Sequence, residues 1–226
     1  MKHLTRNKIR TPKRTLATAI AGAFAFAAPL ALVAPVAPAA AQSSAAKMDQ
    51  VVNALRSITT LKADFTQTDR AGQTVGGKLT MKQPGKIRFE YAKDVNMLVV
   101  ADGSSLVLID YEVNQLQRWP IKESPLGALL DPSRDVKRYG KFVDTGNPNV
   151  LSVEVRDPKK PEYGVITLIM VKDAASPGGL KLHSWVALDS QNKRTTVRLR
   201  NHRYGVSVPN SAFRYKDPRK TTRRPG

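Results

Sequence analysis

From residue 77 to residue 91 the chain reads Gly-Lys-Leu-Thr-Met-Lys-Gln-Pro-Gly-Lys-Ile-Arg-Phe-Glu-Tyr. Leu79 and Met81 alternate with polar residues on the way in. Ile87, Phe89 and Tyr91 alternate with Arg88 and Glu90 on the way out. A period of two marks strands with one dry face, and Pro84-Gly85 supplies the turn. The register is informative. A two-residue loop would set Met81 opposite Arg88, dry against wet. An odd loop such as Gln83-Pro84-Gly85 sets Met81 opposite Ile87 and Leu79 opposite Phe89. A three- or five-residue loop is therefore expected.

Ahead of this hairpin, Met48, Val51, Val52, Leu55 and Ile58 recur at helical spacing, predicting an amphipathic helix over 45–58 with Ser43 or Ser44 at its cap. Strands are predicted at 61–68 and 74–83. A second hairpin, 96–101 and 106–111, turns over Asp102-Gly103. Both of its faces are apolar: Val99, Leu106 and Leu108 on one, Leu98, Val100, Val107 and Ile109 on the other. Both faces therefore need cover. The first is taken to face inward, because the second ends in Tyr111, which suits a wet rim. A short strand at 115–119 follows. Ser124, Pro125 and Pro132 then frame a short helix whose Leu126, Leu129 and Leu130 share one face. Further strands are predicted at 141–145, 150–156, 164–172, 180–188 and 193–201. About eleven strands with short connections and few helices indicate an antiparallel, barrel-like sheet rather than βαβ units.

The ends of the chain add compartment and charge. Lys2, Arg6, Lys8, Arg10, Lys13 and Arg14 precede an Ala-rich apolar run, and Ala39-x-Ala41 is a small-residue cleavage pattern. Residues 1–41 read as a secretory signal peptide, cleaved before Gln42; the competing reading is a membrane anchor. The remaining 185 of 226 residues suit one domain, 42–226. The whole chain carries +19, and removing the six leader cations leaves +13. Such a balance favours anionic lipid or acidic partners. Residues 216–226 are basic with little to bury, and read as a mobile tail. The chain contains no cysteine, so it holds no disulfide and must rely on its core.

Three stretches carry a family resemblance: Ala-Asp-Phe-Thr-Gln at 63–67, the 77–91 hairpin, and Leu-Val-Val-Ala-Asp-Gly-x-x-Leu at 98–106. Together they resemble the periplasmic outer-membrane lipoprotein carriers of the LolA type, most closely over about 51–131. The resemblance implies an incomplete, strongly curved antiparallel β-barrel closed by helices over a hydrophobic cavity. That cavity would shelter the acyl chains of lipoproteins crossing the periplasm. Leu79, Met81, Ile87, Phe89, Val99, Leu106 and Leu108 are the expected lining, with Leu126, Leu129 and Leu130 on a lid helix, or on a simple packing helix. The implied partners are acylated lipoproteins, an ATP-driven inner-membrane exporter and an outer-membrane acceptor, with the carrier a monomer. In one place the chain departs from the family. The residue before the hairpin proline is often Arg there and is Gln83 here, so a lid latch made by that arginine is open to question.

Catalytic signatures are sparse. Gly72-x4-Gly77-Lys78 fails as a phosphate loop, because Leu79 stands where Ser or Thr must hold magnesium and a strand follows. Neither His183 nor His202 belongs to a spaced metal motif, and no nucleophile elbow or dinucleotide fingerprint occurs. No enzyme activity, cofactor or metal is expected. Nucleic acid is a poor partner for dispersed basic residues with few aromatics. Two alternatives to lipoprotein carriage stand: a carrier or sensor of free lipid on the same fold, and a basic envelope protein that binds anionic glycolipid through its surface.

Overall fold

A computed structural model describes residues 39–121, 126–130 and 136–219. Residues 1–38 of the expected leader, Ser124, Pro125 and Pro132 of the expected helix frame, and 220–226 of the expected tail lie outside these. The first helix, α1, runs Ala39–Ser57. It starts earlier than its apolar stripe, so Ser43 and Ser44 sit inside it and not at its cap. Alanine is the strongest helix former, and Ala39 to Ala41 extend the helix backwards. Val51, Val52, Ala54 and Leu55 bury its stripe completely or nearly so.

Eleven strands follow: β1 Thr60–Thr68, β2 Thr74–Lys82, β3 Lys86–Tyr91, β4 Met97–Asp102, β5 Ser105–Asp110, β6 Gln115–Pro120, β7 Gly140–Val143, β8 Val150–Val155, β9 Val165–Lys172, β10 Leu180–Leu188 and β11 Arg194–Tyr204. All pair antiparallel in one sheet of order β6-β5-β4-β3-β2-β1-β11-β10-β9-β8-β7. Each half is a meander of sequential neighbours, and the halves join where β1 meets β11. The sheet stays open at β6 and β7. Between those edges the described residues make two short helices, α2 Gly127–Leu130 and α3 Val136–Tyr139. No helix among the described residues is long and apolar enough to cross a membrane.

The β2–β3 hairpin has the three-residue loop that its dry positions require, with Met81 opposite Ile87 and Leu79 opposite Phe89. Alternation then sorts the sheet into two apolar layers. On the inner face, α1, α2 and most of the strands enclose the main core. On the outer face of β4 and β5, Leu98, Val100, Val107 and Ile109 lie under Val208 and Phe213 of the chain's last segment. That segment, 206–215, is strapped down by side chains of β2 and β3. Lys82 Nζ donates to the Val208 carbonyl at 2.9 Å, Lys86 Nζ to Asn210 Oδ1 at 3.1 Å, and Arg88 Nη1 to the Arg214 carbonyl at 3.2 Å. Tyr111 belongs to this outer layer and donates to the Lys216 carbonyl at 3.3 Å. On the second hairpin, the strap covers the outer face, and Leu106 of the inner face joins the main core.

Candidate functional site: an apolar cavity on the inner face

The inner face is filled at one end and hollow at the other. At the β2–β3 turn, Leu79, Met81, Ile87 and Leu106 pack with Leu55, Leu129 and Leu130, each no more than 3% exposed. Farther along the same strands a cavity of about 410 Å³ opens. Phe89, Tyr91, Val99, Leu108 and Trp119 form one wall; Trp185, Ala187, Thr195 and Val197 form the facing wall. Leu126 and Tyr163 also reach it, and Gln67, Glu162, Asp189, Ser190 and Lys193 supply polar atoms. An apolar wall with few polar groups suits hydrocarbon. Among the described residues no three His, Cys, Asp or Glu side chains converge to hold a metal.

The sequence-derived candidates therefore fall into two groups. Phe89, Val99, Leu108 and Leu126 line the cavity. Leu79, Met81, Ile87, Leu106, Leu129 and Leu130 belong to the buried core beside it. The facing wall, above all Trp185 and Val197, is absent from the sequence-derived set. Simple alternation could not have found it, because a bulge between Leu182 and Ser184 breaks the period of β10. Leu182 and Trp185, an odd number of positions apart, are both buried in the inner core as a result.

The cavity is framed by aromatic rings in edge-to-face contact. Phe65 meets Phe89 at 5.3 Å and Tyr91 at 5.1 Å between centroids, and Phe89 meets Trp185 at 6.0 Å. Such pairs fix ring orientation beyond simple burial. Tyr91 Oη donates to Gln67 Oε1 at 2.7 Å, so its one polar group is satisfied. Burial, opposed by that bond, pushes the Tyr91 hydroxyl up to about 12. Gly77 lies between the paired positions of Phe65 and Tyr91. A Cβ there would run into the Glu90 carbonyl and stand 2.8 Å from the Phe65 ring.

α2 closes the filled end through backbone groups. Gln83 Nε2 donates to the Leu129 carbonyl at 3.1 Å, and the Gly85 N–H to the Leu130 carbonyl at 3.3 Å. Gln83 thus fastens α2 to the hairpin turn with a neutral amide. A larger cleft, about 550 Å³, lies on the outer face and is lined by Lys62, Asp64, Lys78, Asn201 and Arg203 among others. Its charged lining makes it unfit for acyl chains.

Comparison with known proteins gives a consistent family. Residues 56–216 match the model of the outer membrane lipoprotein carrier protein LolA. An outer-membrane lipoprotein carrier protein of Dechloromonas aromatica is 27% identical over 183 residues, covering 77% of this chain and 85% of its own. One from Chromobacterium violaceum is 27% identical over 189 residues, covering 79% and 87%. Among solved structures, the LolA superfamily protein NE2245 from Nitrosomonas europaea is similar at 8% identity and a TM-score of 0.47, covering 76% of this chain and 97% of that one. A TM-score that low carries no weight for function. The family match, spanning most of the chain, does: this chain belongs to the outer membrane lipoprotein carrier protein LolA family.

Proposed function

We propose that the protein is a periplasmic carrier whose cavity shelters the acyl chains of lipoproteins between the inner and outer membranes. An ATP-driven exporter in the inner membrane loads it, and an outer-membrane acceptor unloads it. The observation that carries this is the apolar cavity between Leu108 and Trp185, set inside a sheet of this family. The relatives named as outer-membrane lipoprotein carriers support the cargo class.

Magnitudes shape the mechanism. Each buried methylene yields about 0.8 kcal/mol, so three long chains fully enclosed would yield on the order of 30 kcal/mol. Noncovalent affinity reaches a ceiling of about 20 kcal/mol, and the membrane that the chains leave offers the same burial. Enclosure is therefore partial and net affinity modest. Loading needs outside work, and release needs a better acceptor.

Leu108→Glu tests the assignment. Leu108 is half-buried at the cavity, where water can hydrate the new carboxylate. The variant should keep a cooperative melt and lose binding of an acylated peptide. Gln115→Glu, at an exposed position of edge strand β6, should bind as wild type. A folded Leu108→Glu protein that still binds would move the acyl site elsewhere. Preference for free phospholipid over acylated peptide would indicate a lipid carrier instead.

A further inference from the structure

The strand at the join of the two meanders carries a row of arginines on the face turned away from the cavity. Thr195 and Val197 of β11 line the cavity, so alternation sends Arg194, Arg198 and Arg200 outward. A bulge at Asn201 and His202 then returns Arg203 to that outer face, opposite Lys62 of β1. All these arginines are exposed, and the row spans about 30 Å at strand rise.

No ion pair among the described residues neutralises the row; only Asp64 offsets it, at longer range, through Arg203. None of its arginines lies within 4.0 Å of a carboxylate among the described residues. Asp64, paired across from Arg200, is already held by the Lys78 ammonium and by Asn201 Nδ2 at 2.6 Å. Those two bonds, helped by the charges of Lys78 and Arg203, keep its carboxyl below the usual carboxylate range. Lys62 and Arg203 stand directly opposite one another as like charges, which is unfavourable, and the outer cleft beside them stands open to an anion.

We infer that the outer face of β11 docks the protein on the phosphate head groups of an anionic phospholipid bilayer, through Arg194, Arg198, Arg200 and Arg203. Guanidinium groups match phosphate by paired hydrogen bonds. The surroundings favour a lipid surface over an acidic protein. A protein interface needs aromatic or apolar anchors at its centre. Here Arg198 and Arg200 have Thr66 and Asp64 opposite them on β1 and no aromatic beside them, and the apolar neighbours Val186 and Leu188 on β10 are half-buried and lie at one end of the row. A head-group layer requires only charge. Docking by this face turns the cavity wall away from the bilayer. Acyl chains held there would not be reabsorbed by the membrane on which the carrier rests. That last consequence rests on the proposed cargo; the docking itself does not.

The test is co-sedimentation of the processed chain with vesicles of phosphatidylcholine, alone or mixed equally with phosphatidylglycerol, at low salt. Fatty-acid binding is measured in parallel as a separate reading of the cavity. Wild type should partition onto the mixed vesicles and not onto phosphatidylcholine. Replacing all four arginines by glutamine should lower that partition by about fivefold per charge, with fatty-acid binding unchanged. The basic tail is present in every variant, so its contribution is constant. If the quadruple variant does not fold, Arg198→Gln with Arg200→Gln should still lower partition on the order of twentyfold. A folded variant that partitions as wild type overturns the proposal. So does equal binding of wild type to both vesicles, or binding to polyglutamate without binding to vesicles, which would indicate an acidic protein partner.

Discussion

At Gly77 the missing side chain lets two rings meet. Phe65 and Tyr91 flank that position on neighbouring strands and touch across it at 5.1 Å. Gly77→Val should therefore destabilise the fold on the order of 3 kcal/mol through overpacking, read as a lowered denaturation midpoint. Tyr91 gives a pH signature. Its folded pKa, about 12, lies above the ordinary value of 10.0, so the folded state holds the proton more tightly than the unfolded chain. Its contribution to stability is full below pH ~10 and is lost as pH rises toward ~12, at most about 3 kcal/mol. Tyr91→Phe should flatten that alkaline loss in pH-dependent unfolding curves. Gln83 makes a third case. Gln83→Ala removes one hydrogen bond to α2, worth about 1 kcal/mol. Exchange of the Gly85 amide, bonded to Leu130, should then speed up about fivefold, while a Gln83→Arg variant should restore protection.

Among the elements, the β2–β3 hairpin was legible because its dry and wet positions alternate, and its odd loop followed from matching the dry ones; β4 and β5 were legible instead as short apolar runs around Asp102-Gly103. Three features were not legible. Bulges in β10 and β11 shift the period without any glycine or proline to mark them. For that reason β11 runs on past Asn201 to Tyr204, and Trp185 falls out of step with Leu182 on β10. The outer strap was also hidden, since 206–215 has no periodicity; its apolar residues gain meaning only where Leu98, Val100, Val107 and Ile109 are left uncovered. Helix α3 is the third, a single turn too short to show a stripe. The strap supports a pair of truncations. Ending the chain after Tyr215 removes Asp217 and Arg219, which pair mainly with each other at the surface, and should leave the melting temperature nearly unchanged. Ending it after Gly205 strips Val208 and Phe213 from the outer layer. That loss should cost on the order of 4 kcal/mol and make the protein aggregate, seen by light scattering.

For the molecule as a whole, the cavity sets a capacity. A cavity of about 410 Å³ lies toward the lower end of the roughly 300–1,000 Å³ of pockets that take one small ligand, and so suits one acyl chain. Titration with palmitate should show one bound per protein at saturation, and native mass spectrometry of a triacylated cargo complex should show an expanded state. Binding should persist when salt rises to ~1 M, where screening acts within about 3 Å, because hydrocarbon burial does not depend on charge. The join between β1 and β11 has a further consequence, in time rather than space. Strands β2 to β6 and β8 to β10 each pair with a neighbour nearby in sequence, and such local contacts form early. Phe65 of β1 pairs with Leu199 of β11, across most of the chain, and the cost of closing so long a loop comes before any reward from the contact. Two half-sheets can thus accumulate while the wall between Phe89 and Trp185 is still missing. The cavity exists only after the slowest contact forms, so a refolding experiment should recover strand circular dichroism well before it recovers acyl binding.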